Sequence, residues 1–154
     1  MALLSYEKIF SRVRNKSYDP KELSLNDDDL TEISVERLHS AVGNVRIRRL
    51  FTTLSCDDQA EELTWVLKNS VSNTSNDDEE EDFVIELLAL NIVIEWLKPQ
   101  IESIANISKA IGGKEEKSIN NEYKSSIERL KSLEVQLAKM IRDHGYLYNS
   151  YLQG

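Results

Sequence analysis

The feature that most restricts the fold of this chain is the apolar stretch 83–97, which directly follows six consecutive carboxylates at 77–82. Only three of its fifteen residues are polar, namely Glu86, Asn91 and Glu95. A helix that is apolar on nearly every side has to be buried on most of them. The sequence therefore predicts that this helix lies in a core, formed either by its own chain or by neighbouring subunits.

The same stretch is not expected to span a membrane. A bilayer-spanning helix needs about 20 consecutive apolar residues, whereas this one has fifteen with charges among them. Carboxylates are favourable at the positive end of a helix dipole, so residues 77–82 are expected to begin the helix, capped by Asn76 or Asp77. We expect Pro99 to kink the helix without ending it, and the Gly-Gly pair within 111–114 to terminate it.

Three further segments have apolar residues at helical spacing. The first begins near Leu3, and the second follows a cap at Asn26 or Asp27. The last runs from about Ile119 and has an apolar stripe within 123–144. The stripe consists of Tyr123, Ile127, Leu130, Leu133, Leu137, Met140, Ile141 and His144.

Residues 50–68 have a different pattern. Leu63, Trp65 and Leu67 alternate with less apolar neighbours, and that period of two is typical of a strand. The segment is predicted to form either a β-hairpin or a short extended arm.

Together these elements predict an all-α fold, mainly a bundle of about four helices, with the short arm at 50–68. One domain is expected over residues 1–154, with an acidic loop at about 69–82. The order of the elements contains no βαβ unit, which argues against a nucleotide-binding fold.

The charge of the chain is unevenly distributed. The net charge is −8, and residues 51–82 account for it with one lysine and ten carboxylates. Affinity for nucleic acid or for anionic membranes comes from Lys and Arg, so neither is expected as the main partner. The one basic cluster is Arg46, Arg48 and Arg49. It is predicted either to contact DNA or an acidic partner surface, or to pair with carboxylates of its own chain.

No catalytic signature is apparent, and the chain is not expected to be an enzyme. Its single cysteine, Cys56, indicates a reducing compartment. The two aspartates that follow it disfavour the thiolate. His39 and His144 stand apart from each other and from other ligands at metal-binding spacing, so neither a metal site nor a cofactor is predicted.

An assembly role is favoured instead. Aromatic and large apolar side chains serve as anchors at protein interfaces. The residues predicted at a subunit interface are Trp65, Leu67, Phe83, Ile92, Trp96, Tyr146, Tyr148 and Tyr151.

The order of several segments resembles the small neck, or head–tail connector, proteins of tailed bacteriophages. These segments read SYEKIFSRV, ERLHSAVGNVRIRRL, ELTWVL, LLALNIVIEWLKPQI and YLYNSYL. The resemblance implies a virion structural protein that is made in the host cytoplasm and assembles in the neck. It implies a ring of about a dozen copies closed by a heterologous interface, with portal and tail proteins as partners and DNA passing through the channel. The alternative is an intracellular helical adaptor that binds a partner helix.

Overall fold

We describe the fold from a computed structural model of the chain. It describes residues 2–17, 26–68, 77–110 and 114–147, with the backbone alone at 77–79, 108–110, 114–116 and 145–147. In chain order, the elements in these ranges are β1 (Ala2–Ser5), α1 (Tyr6–Lys16), α2 (Asp27–Gly43), α3 (Val45–Arg48), β2 (Phe51–Asp57), β3 (Glu62–Leu67), α4 (Asp77–Ala110) and α5 (Lys114–Leu147).

The described chain is mostly helical, as predicted, but it also contains a small antiparallel sheet with the strand order β1–β3–β2. Of the two alternatives predicted for 50–68, a hairpin or an extended arm, the structure contains the hairpin, since β2 pairs with β3 along 51–57 and 62–67. The five helices of the described ranges do not clearly form a four-helix bundle. The expected all-α bundle is therefore correct only in its dominant helical content.

Strand β1 corrects the prediction of a helix that begins near Leu3. Its four residues pair with β3, from Ala2 opposite Trp65 to Ser5 opposite Glu62. The side chain of Ser5 then accepts a hydrogen bond from the Glu7 backbone N–H and caps α1. A strand this short has no recognisable period of its own, and its partner lies far along the chain.

The hairpin is a wall of the core rather than a protruding arm. Leu63, Trp65 and Leu67 of β3 are all buried, and Phe51 and Leu54 of β2 are buried with them. Alternate side chains of a strand point to the same face, so the predicted period of two is confirmed. One face of the sheet thus covers the helices.

Helix α4 is buried by its own chain, which decides between the two alternatives that its sequence left open. Nearly every side chain from Val84 to Val93 is buried, between α1, α2 and α5. Within the described residues the helix runs from Asp77 to Ala110 and continues through Pro99, as predicted. The predicted cap at Asn76 and the Gly-Gly pair predicted to end the helix lie outside the described residues. The prediction of an acidic loop at about 69–82 is wrong for residues 77–82, which form the first turns of α4. Residues 69–76 lie outside the described residues.

Helix α5 packs against α4 in the antiparallel direction. The His144 ring stacks on Phe83 at 4.5 Å between centroids, and the Arg129 guanidinium lies 5.7 Å from the centre of the Trp96 ring. All eight residues of the predicted stripe are buried or half-buried. Each of these helices has 34 residues and is about 50 Å long. No helix in the described ranges carries an apolar window long enough to cross a bilayer.

Candidate functional site

The acidic start of α4 lies against a basic face of α1. We call this set of contacts the ionic seam. Its nitrogen–oxygen distances lie between 2.5 and 2.8 Å. Glu81 and Asp82, which precede the apolar stretch, and Glu86 within it therefore hold α4 to α1. The ionic seam consists of Lys8–Glu81, Arg12–Asp82, Arg12–Glu86 and Lys16–Glu86.

Glu86 is the centre of the ionic seam. Its side chain is 26% exposed and accepts contacts from both Arg12 and Lys16. Burial favours the neutral carboxyl, but the hydrogen bonds and charges of these two cations outweigh it, so the pKa of Glu86 lies below its usual value. The carboxylate consequently stays charged at neutral pH and holds the two helices together.

A second polar cluster joins α1, α2 and the hairpin turn. The Tyr6 hydroxyl donates a hydrogen bond of 2.6 Å to Asp58 Oδ1, and His39 Nε2 lies 2.8 Å from the same oxygen. The hydrogen bond from Tyr6 and, to a smaller extent, the contact with His39 favour the ionised carboxyl. They hold the pKa of Asp58 below its usual range. The cluster fixes the hairpin turn beside the C-terminal half of α2.

An open groove with a volume of about 630 Å³ lies beside this cluster. We call it the acidic groove. Three carboxylates, one imidazole and one apolar side chain line it, so it suits a cationic group with an apolar neighbour. The residues of the acidic groove are Glu32, Val35, Glu36, His39 and Asp58.

The groups near the acidic groove are poorly suited to nucleophilic catalysis. Burial raises the pKa of the Cys56 thiol, and the nearby Asp58 charge raises it further, whereas the hydrogen bond to Tyr6 and the Arg48 charge lower it without reversing the shift. Burial and the hydrogen bond to Asp58 likewise raise the pKa of the Tyr6 hydroxyl. Within the described residues, no three His, Cys, Asp or Glu side chains are placed to hold a metal ion.

A basic patch lies at the other end of the hairpin. Its cations are exposed, and none of them makes an ion pair within the described part of the chain. Val45, which is 61% exposed, lies among them. The prediction that the arginines pair with carboxylates of their own chain is therefore not met in the described ranges. The basic patch consists of Arg46, Arg48, Arg49 and Lys68.

Short-range contacts fix the position of the basic patch. The Lys68 backbone N–H donates to the Leu50 carbonyl at 2.9 Å, which places the end of β3 next to the arginines. Asn44 accepts a hydrogen bond from the Arg46 backbone N–H and caps α3. Its Nδ2 donates to Oδ1 of the buried Asn91 at 2.9 Å. The patch is thus tied directly to α4.

The acidic groove and the basic patch belong to one unit, formed by α2, α3 and the hairpin. Asp58 follows the last residue of β2, whereas Arg49 precedes its first residue by two positions. The seven residues of β2 span six steps of about 3.4 Å, or about 20 Å. The unit therefore carries a negative surface and a positive surface.

Replacing Asn44 tests whether its contacts with α3 and Asn91 hold the basic patch in place. We expect Asn44→Ala to lower the free energy of unfolding by about 1 kcal/mol, because it removes both the cap of α3 and a bond to a buried amide. Asn44→Asp keeps the capping oxygen but not the donor to Asn91, so it separates the two contributions. Urea denaturation measures both variants. A stability unchanged in Asn44→Ala would contradict this role.

The structure places four predicted interface residues inside the chain. Trp65, Leu67, Ile92 and Trp96 are each less than 8% exposed, so they offer almost no area to a partner. Phe83 is half-buried against His144. The side chain of Tyr146, and the whole of Tyr148 and Tyr151, lie outside the described residues.

Most residues of the acidic groove were not singled out from the sequence. Glu32, Glu36 and His39 do have the spacing of one helix face, which is a usable signal. Their proximity to Asp58 depends on how α2 packs on the hairpin, and no local pattern encodes that packing. By contrast, all three predicted arginines belong to the basic patch.

Comparisons of the chain with protein-family models, with curated proteins and with solved structures find no match.

Proposed function

We propose that this chain is a virion structural protein, a subunit of a ring in the neck of a tailed bacteriophage. The ring would join the portal and head to the tail and surround the DNA channel. The resemblance of several sequence segments to the neck proteins of tailed bacteriophages supports this family. The structural observation that carries an assembly role is the pair of oppositely charged surfaces on one unit. Two different faces on one chain are what a closed ring requires.

The chemistry of the described residues also favours assembly over catalysis. The raised pKa values of Cys56 and Tyr6 leave neither group as a ready nucleophile at neutral pH. Most apolar residues of α4 between Val84 and Leu97 are buried within the chain. The exposed side chains of the described residues are mostly polar or charged, and complementary charge gives an interface its register and its specificity.

The acidic stretch 77–82 is a weak candidate for the lining of the DNA channel. Glu81 and Asp82 already pair with cations of α1. Their fields are partly neutralised there, so they repel DNA phosphates less than unpaired carboxylates would.

Co-sedimentation with phage particles tests the proposed function. We expect the purified protein to bind heads that lack a neck, and to reach a species of about a dozen chain masses on them or in solution. Complete virions, whose neck is already occupied, are the matched control and should bind little. Light scattering measures the mass of the free protein.

A different result would favour the other candidate. A monomer that stays monomeric at every concentration and ignores both kinds of particle would point to a helical adaptor. In that case the long helix α5 would be the place to look for a partner helix.

A further inference from the structure

We propose that the basic patch of one copy docks into the acidic groove of the next copy. The proposal rests on the proposed function of a self-assembling subunit and names the surfaces by which it assembles. The partner is a second copy of this chain. The contacts between the two copies are charge-assisted hydrogen bonds from guanidinium to carboxylate groups, arranged around a small apolar centre.

The two surfaces are complementary in charge. The acidic groove presents Glu32, Glu36 and Asp58, and Asp58 is half-exposed despite its bonds to Tyr6 and His39. The basic patch presents three arginines and one lysine, which makes one cation more than the groove has carboxylates. Arginine forks match carboxylates in a bidentate geometry, so each groove carboxylate can be paired.

The two surfaces also match in their apolar parts. Val35 contributes the apolar lining of the groove. Val45 projects from the basic patch with 61% of its surface exposed, and it is one of the four exposed large apolar side chains in the described ranges. Contact between these valines would remove an exposed apolar side chain from water and stabilise the charged contacts around it.

A second copy fits the basic patch better than a nucleic acid does. DNA that approached the patch would be repelled by the net charge of −8 that the whole chain carries. A groove of the same chain has the opposite sign to the patch. Each copy would therefore use one face for each neighbour, a heterologous contact that closes into a ring or propagates.

Reciprocal charge reversal tests the docking. The basic variant carries Arg46→Glu, Arg48→Glu and Arg49→Glu, and the groove variant carries Glu32→Lys and Glu36→Lys. In each variant alone, the groove and the patch have the same sign, so we expect self-association at least tenfold weaker than in the unmodified chain. In an equimolar mixture every contact again joins opposite charges. We expect the mixture to recover association, and sedimentation velocity at low ionic strength measures it.

Matched control variants separate docking from net charge. Lys124→Glu, Lys131→Glu and Lys139→Glu reverse three exposed cations of α5, and Glu102→Lys with Glu122→Lys reverses two exposed carboxylates. Both controls should associate as the unmodified chain does. Recovery on mixing cannot arise from misfolded chains, and circular dichroism checks each variant separately.

Several outcomes would overturn the docking. These are an unmodified chain that stays monomeric, single-face variants that associate normally, or a mixture that does not recover. The unmodified chain could also bind duplex DNA. If only the basic variant lost that binding while its self-association stayed unchanged, the basic patch would be a site for DNA phosphates instead. Particle binding distinguishes a failure of the docking proposal from a failure of the proposed neck function. If heads still bind the basic variant, the neck function stands and the docking does not. If mixing restores association but no variant or unmodified chain binds particles, the docking stands and the neck function does not.

Discussion

Replacing Trp65 with alanine is expected to lower the free energy of unfolding by about 3–5 kcal/mol. The indole is 4% exposed and lies on β3, the central strand of the sheet. Its removal leaves a cavity in the wall that covers the helices, and the neighbouring strands on both sides limit how far the site can collapse. Urea denaturation of the purified variant, followed by circular dichroism, measures the loss.

Two variants serve as controls for this result. The indole Nε1 has no hydrogen-bond partner among the described residues, so Trp65→Phe loses volume but no hydrogen bond and should cost less than half as much. Leu3→Ala, at a side chain that is 62% exposed, should change the stability by less than about 0.5 kcal/mol. If Trp65→Ala retained full stability and lost only self-association, Trp65 would be an interface residue, as the sequence alone predicts.

Replacing Glu86 with glutamine is expected to lower the free energy of unfolding by about 1–2 kcal/mol. The substitution keeps the shape of the side chain but leaves Arg12 and Lys16 without their shared anion. Glu81→Gln is the matched control, because Glu81 pairs only with the well-exposed Lys8 in the ionic seam. Exposed pairs contribute between 0 and about 1 kcal/mol, so the control should cost less.

The contribution of Glu86 to the free energy of unfolding depends on pH in a defined direction. Its pKa is lower in the folded chain than in the unfolded one, so the unfolded chain takes up more protons on acidification. The stabilisation is complete above the ordinary glutamate pKa of about 4.3 and is lost as the pH falls through the lowered pKa of the folded state. The unmodified chain and Glu86→Gln should therefore converge in stability in acid. A difference that persists after Glu86 is protonated would contradict an electrostatic origin.

The sequence by itself determined the long helices and their buried faces. The apolar stretch at 83–97 required burial on most sides, and the stripe from Tyr123 to His144 required one buried face, because a helix brings residues three and four apart onto the same side. The alternation of Leu63, Trp65 and Leu67 determined the strand in the same local way. In each case the signal lies within about one element.

The tertiary structure alone decided how these elements meet. Strand β1 exists because β3 lies beside it, Glu81 and Asp82 pair with α1, and Asp58 reaches His39 across the gap between hairpin and helix. It also decided that Trp65 and Trp96 face inward, although aromatic side chains are equally suited to a core or to an interface. Contacts between distant segments depend on the path of the whole chain, and periodicity within one element carries no information about that path.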